Sequence, residues 1–510
     1  MTISRRNLLL AGAATGGALL SSGCESSTSS KPAGPPRRGG TLRVGAIGRA
    51  SAIVRDPHGV QANDSDYLIL SLLYDTLTIP AKSPLTAPRL ATRWSHDGSL
   101  RRWRFELDRH ARFHDGSPVT SEDVVWSLRR LRESESGASR LPGIEAKDIT
   151  ADGPHTVVVD SGYPDSQVPL LMRLTTFVMK KGTKKPEDAP GTGPFKLDWF
   201  HDGNARLVRN EHWYGGKVWL DAVEVTMFES PASMVNAALS GQLDLASNVG
   251  TVAARSGQGR SGFKIVRRPD DMALPLVMRT SDGPFADSRV REALRLAVDR
   301  KEMVSHALGG YGTVANDVLG TGDPEYDHHI PQRTRNLAKA RSLLKQADFD
   351  LSKSHKLLTS EDVPGLAESA TLLARQIKEA GVELDVVKQD SGTFLGESRG
   401  KAPLYTSYWG TNDSVIFCAG KLLVSDSTMN EANWQDEKFD DAYRKAVGTA
   451  GSGRHEDHVR EVQRMQHDSS GYLLWGMADG VDLAKDKVNG LPRLPGYGRV
   501  QLENTWLSSS

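Results

Sequence analysis

Apolar and polar residues alternate from Thr41 to Ile47, and again through Trp103, Phe105 and Leu107, the period of half-buried β-strands. The second run ends at the turn-forming segment His114-Asp115-Gly116-Ser117-Pro118, and there the period changes. Val124, Leu128 and Leu131 recur at helical spacing, behind Thr120 and Asp123 placed as a capping box. Pro231 in a first turn, Met234 and Ala238 on one face and Gly241 as a stop predict a second helix, with a strand at Leu243-Asp244-Leu245 behind it. Val290, Leu294, Ala297 and Val298 form a third helical stripe. A fourth comprises Leu366, Ala370, Leu373 and Ile377; Gly381 ends it, and the alternating strand Val382, Leu384, Val386 follows. Helix followed by strand at both ends of the chain predicts the α/β class with more than one sheet. There is no repeat period and no coiled-coil heptad.

The first forty residues depart from this pattern. Arg5 and Arg6 precede an apolar run from Leu8 to Leu20, diluted by Gly12, Gly16 and Gly17. A bilayer core needs roughly 20 apolar residues at helical rise, so the run is too short for a stable span. A positive start, a short apolar middle and small residues before a cut point describe an export signal. Ser4-Arg5-Arg6-Asn7-Leu8-Leu9 resembles the twin-arginine signal of bacteria. Ser22-Gly23-Cys24 resembles a lipoprotein cleavage box, with Ser21 where Leu is usual. The expectation is a signal over residues 1–23, acylation of Cys24, and a disordered tether over 24–40, ESSTSSKPAGPPRRGG after the cysteine. The body is then expected at the outer face of the cytoplasmic membrane, attached through lipid alone.

Of 510 residues, about 470 remain after signal and tether, too many for one core, so two or three lobes are expected. Lys and Arg number 64 against 63 Asp and Glu, and this balance gives no support for nucleic-acid binding. The two cysteines are Cys24 and Cys418. With Cys24 acylated no intrachain disulfide is possible, and Cys418 reads as a buried small hydrophobe.

Candidate chemistry is sparse. Gly191-Thr192-Gly193-Pro194-Phe195 lacks the Lys-Ser/Thr of a phosphate-binding loop and reads as a structural turn. His455-Glu456-Asp457-His458 and Asp327-His328-His329 lack the spacing of zinc hydrolases and read as surface histidines. No Gly-x-Ser-x-Gly elbow occurs. The expectation is a non-enzyme without cofactor or metal. One stretch does suit binding: Leu404-Tyr405-Thr406-Ser407-Tyr408-Trp409-Gly410-Thr411-Asn412-Asp413 sets three aromatics among polar groups, as small-molecule clefts do.

Five stretches carry a resemblance. They are Trp103–Leu107 with Phe113–Leu128, Gly191–Phe195 with Arg209–Gly216, Ala238–Leu245, Pro284–Leu294 running on to Arg300, and Ala340–Ala347. Together they resemble the extracellular solute-binding proteins of family 5, which serve oligopeptide, dipeptide and nickel ABC importers. The resemblance implies a periplasmic-binding-protein-like α/β fold, two lobes joined by hinge strands, with an extra subdomain in the first. The expected division is lobe 1 over 41–82, 183–272 and 484–510, the insert over 83–182, and lobe 2 over 273–483. It also implies a monomeric receptor that takes a small solute, most simply a peptide, into an interlobe cleft and delivers it to a permease and its ATPase.

In peptide-binding members an Asp three residues after the Trp pairs with the ligand ammonium. Here that position is Asn412, and the acid comes one later, at Asp413. The expected ligand-binding residues are therefore Tyr408, Trp409, Asn412 and Asp413, with Arg279 as a candidate for the ligand carboxylate. The alternatives are a non-peptide solute such as a nickel chelate or a sugar, and, more remotely, an exported hydrolase.

Overall fold

Two strands of unusual length organise the molecule. The computed structural model describes residues 34–509, apart from 62, 174, 362, 411 and 412 and the side chains of 251–254, 391 and 497. Arg5, Arg6, Cys24 and Asn412 thus lie outside the described residues. Phe263–Met278 and Tyr472–Lys485 pair antiparallel from Phe263↔Lys485 to Val277↔Tyr472 and run through the middle of a 12-stranded sheet. At one end Leu245–Ala246 pairs with the second long strand, and Thr41–Ile47, Ala222–Phe228, Asn204–Arg209 and Phe195–His201 continue outward. At the other end Leu404–Thr406 joins the first long strand, followed by Ser354–Ser360 and Glu383–Gln389. The two half-sheets are the floors of the two lobes.

Each half has its own core. In lobe 1, Leu42, Val44, Phe195 and Leu207 pack with the C-terminal residues Val488, Val500 and Leu502. In lobe 2, Leu274, Leu294, Leu373 and Trp475 lie on one face of the half-sheet, while Val277, Tyr405, Ile416 and Phe439 lie on another. A separate antiparallel sheet of four strands, Ala91–His96, Arg102–Leu107, Thr156–Asp160 and Ile149–Ala151, forms the subdomain with helix Ser121–Arg132. Its core holds Trp103, Phe105, Val124, Leu128 and Leu131, the alternating and helical stripes read from sequence. The capping box is present: the Asp123 carboxylate accepts from the Thr120 amide at 2.9 Å and its hydroxyl at 2.6 Å.

One predicted strand shifts. The strand expected at Leu243–Leu245 begins only at Leu245, because the buried Asp244 side chain is held by Arg43, with Nε–Oδ2 and Nη2–Oδ1 both 3.0 Å. Cys418 is buried and free, and burial holds its thiol well above its ordinary pKa. Among the described residues no helix is long and apolar enough to cross a membrane.

The long strands change register between Arg268 and Met272, where five residues of one strand face three of the other, Ala478 to Gly480. Asp270 takes φ +53° in this bulge. Arg268 is fully buried here, bonded to Asp482 and 3.4 Å from Asp271. Gly480 is required by close approach, since a Cβ would meet Arg268 Nη2 at 2.6 Å and Asp271 Cγ at 2.7 Å.

Candidate interlobe binding site

Lobe 2 approaches the subdomain through the segment 404–422 and through the helix Glu437–Gly448, whose Val447 carbonyl accepts the Ser166 amide at 3.3 Å. After the strand Leu404–Thr406, Trp409 and Gly410 pair with Ala273 and Met272, beside the bulge, and helix Val415–Leu422 follows. Ser414 caps that helix by accepting from the Phe417 amide at 2.9 Å, and its hydroxyl donates to Gln167 Oε1 of the subdomain. The Val415 amide donates to Asp323 Oδ2 at 2.7 Å. The start of this helix is thus pinned from within its lobe and from across the seam.

The expected site residues separate into three situations. Tyr408 and Trp409 are half-buried and both lie under the Arg399 guanidinium, 4.7 and 4.8 Å from the ring centroids. Trp409 Nε1 donates to Glu431 Oε2 at 3.2 Å, and Lys421 Nζ lies 5.1 Å from its ring. Glu431 is buried and also bonds Arg399 and the Ser407 hydroxyl, so the indole is fixed by a charged network on its own lobe.

Asp413 faces the other way. Its Oδ1 accepts from Arg173 Nη2 at 2.8 Å, and both side chains are almost completely buried. Arg173 also donates through Nη1 to the Leu85 carbonyl at 2.8 Å. Burial pushes the Asp413 carboxyl above its ordinary value, although Arg173 and Lys421 pull it down. Arg279 stands apart: it engages Asp282 at 3.1 Å and the Lys401 carbonyl at 2.8 Å. The register Met278↔Leu404 and Ala273↔Trp409 places it about 20 Å along the strand from Trp409.

A cavity of about 340 Å³ opens one helical turn beyond this segment. The subdomain contributes Arg132, Tyr163, Asp165 and Gln167, and lobe 2 contributes Phe417, Lys421, Met429, Asp440, Tyr443 and Arg444. Asp165 is buried, and loss of hydration pushes its carboxyl up to about 6. Asp440 Oδ1 accepts the Ser425 amide at 3.0 Å. A smaller space of about 10 Å³ lies between Trp409, Asp413 and Lys421, so Lys421 borders both. Sequence reasoning reached the segment that leads into this cavity but not its walls. Tyr163, Asp165 and Gln167 sit in a loop without periodicity, and Tyr443 and Arg444 lie on a helix whose stripe reads as ordinary core packing.

The comparisons with known proteins agree with this architecture. Residues 86–416 match the family described as "Bacterial extracellular solute-binding proteins, family 5 Middle". The chain belongs to this family. Among family 5 relatives, the oligopeptide-binding protein AppA of Bacillus subtilis is 27% identical over 402 residues, covering 74% of this chain and 71% of that protein. The nickel-binding periplasmic protein of Escherichia coli is 21% identical over 458 residues, 83% and 87% of the two chains. The fold also matches the periplasmic binding protein DppA of Helicobacter pylori in complex with the peptide STSA, with TM-score 0.79 and 19% identity over 93% of this chain and 99% of that one.

Proposed function

We propose that this family 5 protein is the capture component of an ABC importer and takes short peptides, or solutes of the same amphoteric character, into the interlobe cavity. One observation carries the proposal: a space of about 340 Å³ whose walls are drawn from both sides of the seam and hold carboxylates and cations together. That volume lies in the range of small-molecule sites, roughly 300–1,000 Å³. A zwitterion needs a cation for its carboxylate and an anion for its ammonium, and the lining supplies both, Lys421 and Arg444 with Asp440 from lobe 2 and Asp165 from the subdomain. Because the walls belong to both lobes, only the closed state gains all the contacts, so ligand drives closure about the bulge at 268–272. Peptide binding by AppA and by DppA supports the choice of ligand class.

In this reading neither Trp409 nor Asp413 serves the solute: Trp409 braces its own lobe through Glu431, and Asp413 closes the seam through Arg173. Calorimetric titration with an equimolar pool of di- to pentapeptides, with small-angle scattering on the same samples, tests the function. Saturable binding with a smaller radius of gyration is expected. Binding of neither this pool nor a panel of sugars and nickel chelates overturns the receptor role, and binding of the panel alone overturns the peptide assignment. The protein is held at the membrane by an acylated Cys24, so Cys24→Ala should move it from the membrane to the soluble fraction. Identical partitioning of variant and wild type contradicts the anchor.

A further inference from the structure

We infer that Asp165 is the receptor for a cationic amine on the ligand, so that the site selects solutes with a free ammonium group. The inference rests on the interlobe site proposed above and names the group that gives it selectivity. Asp165 lies between the subdomain strand Thr156–Asp160 and the short helix Val168–Leu171. Its backbone is fixed at both ends: the amide donates to the Leu100 carbonyl at 3.0 Å, and its own carbonyl accepts Trp103 Nε1 at 3.0 Å. Oδ1 accepts the Gln167 amide at 2.7 Å. The residue is 2% exposed, so the carboxylate cannot turn out to solvent.

What sets it apart is the missing cation. Asp75 has Arg89, Asp317 has Arg300 and Arg333, Asp482 has Arg268, and Asp413 has Arg173. Among the described residues Asp165 has no ion pair, and Oδ2 accepts no hydrogen bond. Asp66, Asp323 and Asp440 are likewise buried without an ion pair, but Asp66 borders a space of only about 20 Å³, both oxygens of Asp323 accept backbone amides, and Asp440, which shares the space of about 340 Å³, is 9% exposed against 2% for Asp165. A buried carboxylate without a counter-charge is costly, and a ligand hydroxyl or amide would satisfy a lone pair without offsetting the charge. An ammonium does both. Tyr163 and Tyr443 line the same space within reach of the Asp165 charge, and their hydroxyl oxygens supply further acceptors for a group with three donors. Asp413, the carboxylate that the sequence offered for this role, is already neutralised by Arg173.

The test uses two probes, the di- to pentapeptide pool and the same pool N-acetylated, titrated into wild type and Asp165→Asn. The substitution keeps the volume and the acceptor for Gln167. Wild type should prefer free over acetylated peptides by tenfold or more, and in Asp165→Asn that preference should disappear. A preference that survives the substitution, or acetylated peptides bound by wild type as tightly as free ones, overturns the ammonium role while leaving the capture reading intact. Failure of wild type to bind either pool overturns the peptide assignment and the ammonium role with it.

Discussion

Opening of the unliganded protein should be controlled by the Arg173–Asp413 pair. Arg173 belongs to the subdomain and Asp413 to lobe 2, their heavy atoms are 2.8 Å apart, and their side chains are 1% and 4% exposed. Removing one partner of a buried pair costs about 3–5 kcal/mol when the orphaned charge stays buried. A hinged protein has an alternative, since parting the lobes returns that charge to water without unfolding either core. The loss should therefore appear mainly as opening, and 3 kcal/mol shifts a closed-to-open ratio by roughly 100-fold. The two single variants should differ. In Arg173→Met the orphan is a carboxyl already pushed up by burial and still pulled by Lys421, so it can take a proton and stay buried. In Asp413→Leu the orphan is a guanidinium, which does not shed its charge in a protein. Small-angle scattering of the unliganded protein at pH 7.5 and 5 should show Asp413→Leu expanded at both, and Arg173→Met expanded less at pH 5. The double variant should return towards wild type. Wild-type dimensions and unchanged melting in both single variants would refute the latch.

Asp165 should lower the stability of the unliganded protein at neutral pH. Its carboxyl rises from 3.8 to about 6 on folding, so the penalty is absent below about pH 4 and complete above about pH 6. Asp165→Asn should accordingly raise the unfolding free energy by on the order of 2–3 kcal/mol at pH 7.5 and by little at pH 4, measured by urea denaturation. An equal effect at both values would show that desolvation is not the cause. Gly480→Ala places a Cβ 2.6 Å from Arg268 Nη2 and 2.7 Å from Asp271 Cγ, both inside the buried hinge cluster. It should cost about 1–3 kcal/mol of stability, and an unchanged denaturation midpoint would mean that the hinge relaxes freely.

The regular elements were legible because their periods are local. The stripes at Val124–Leu131 and Leu366–Ile377 and the alternation at 103–107 are buried as read, since one face of each element meets a core. The strand near Leu245 was misplaced by a buried Asp244 whose partner, Arg43, lies on a neighbouring strand two hundred residues away in sequence. The Leu404–Asp413 segment stands out in the sequence through its aromatics, but which way each side chain faces depends on partners supplied by other parts of the chain. Trp409 turns to Glu431, Asp413 to Arg173 across the seam, and Arg279 to its own loop. Asp165 gave no signal because an isolated acid in a loop looks the same whether it is solvated or walled into a cavity. Only the fold shows that, among the described residues, it is buried against a cavity without an ion pair.

The most direct test is a crystal structure of the protein saturated with the tightest-binding member of the peptide pool. The account predicts ligand density between residues 163–167 and 417–444, with the ammonium on Asp165, the carboxylate towards Lys421 or Arg444, and the Arg173–Asp413 pair intact. Density stacked on Trp409 with its ammonium on Asp413, and Arg173 displaced, would contradict it.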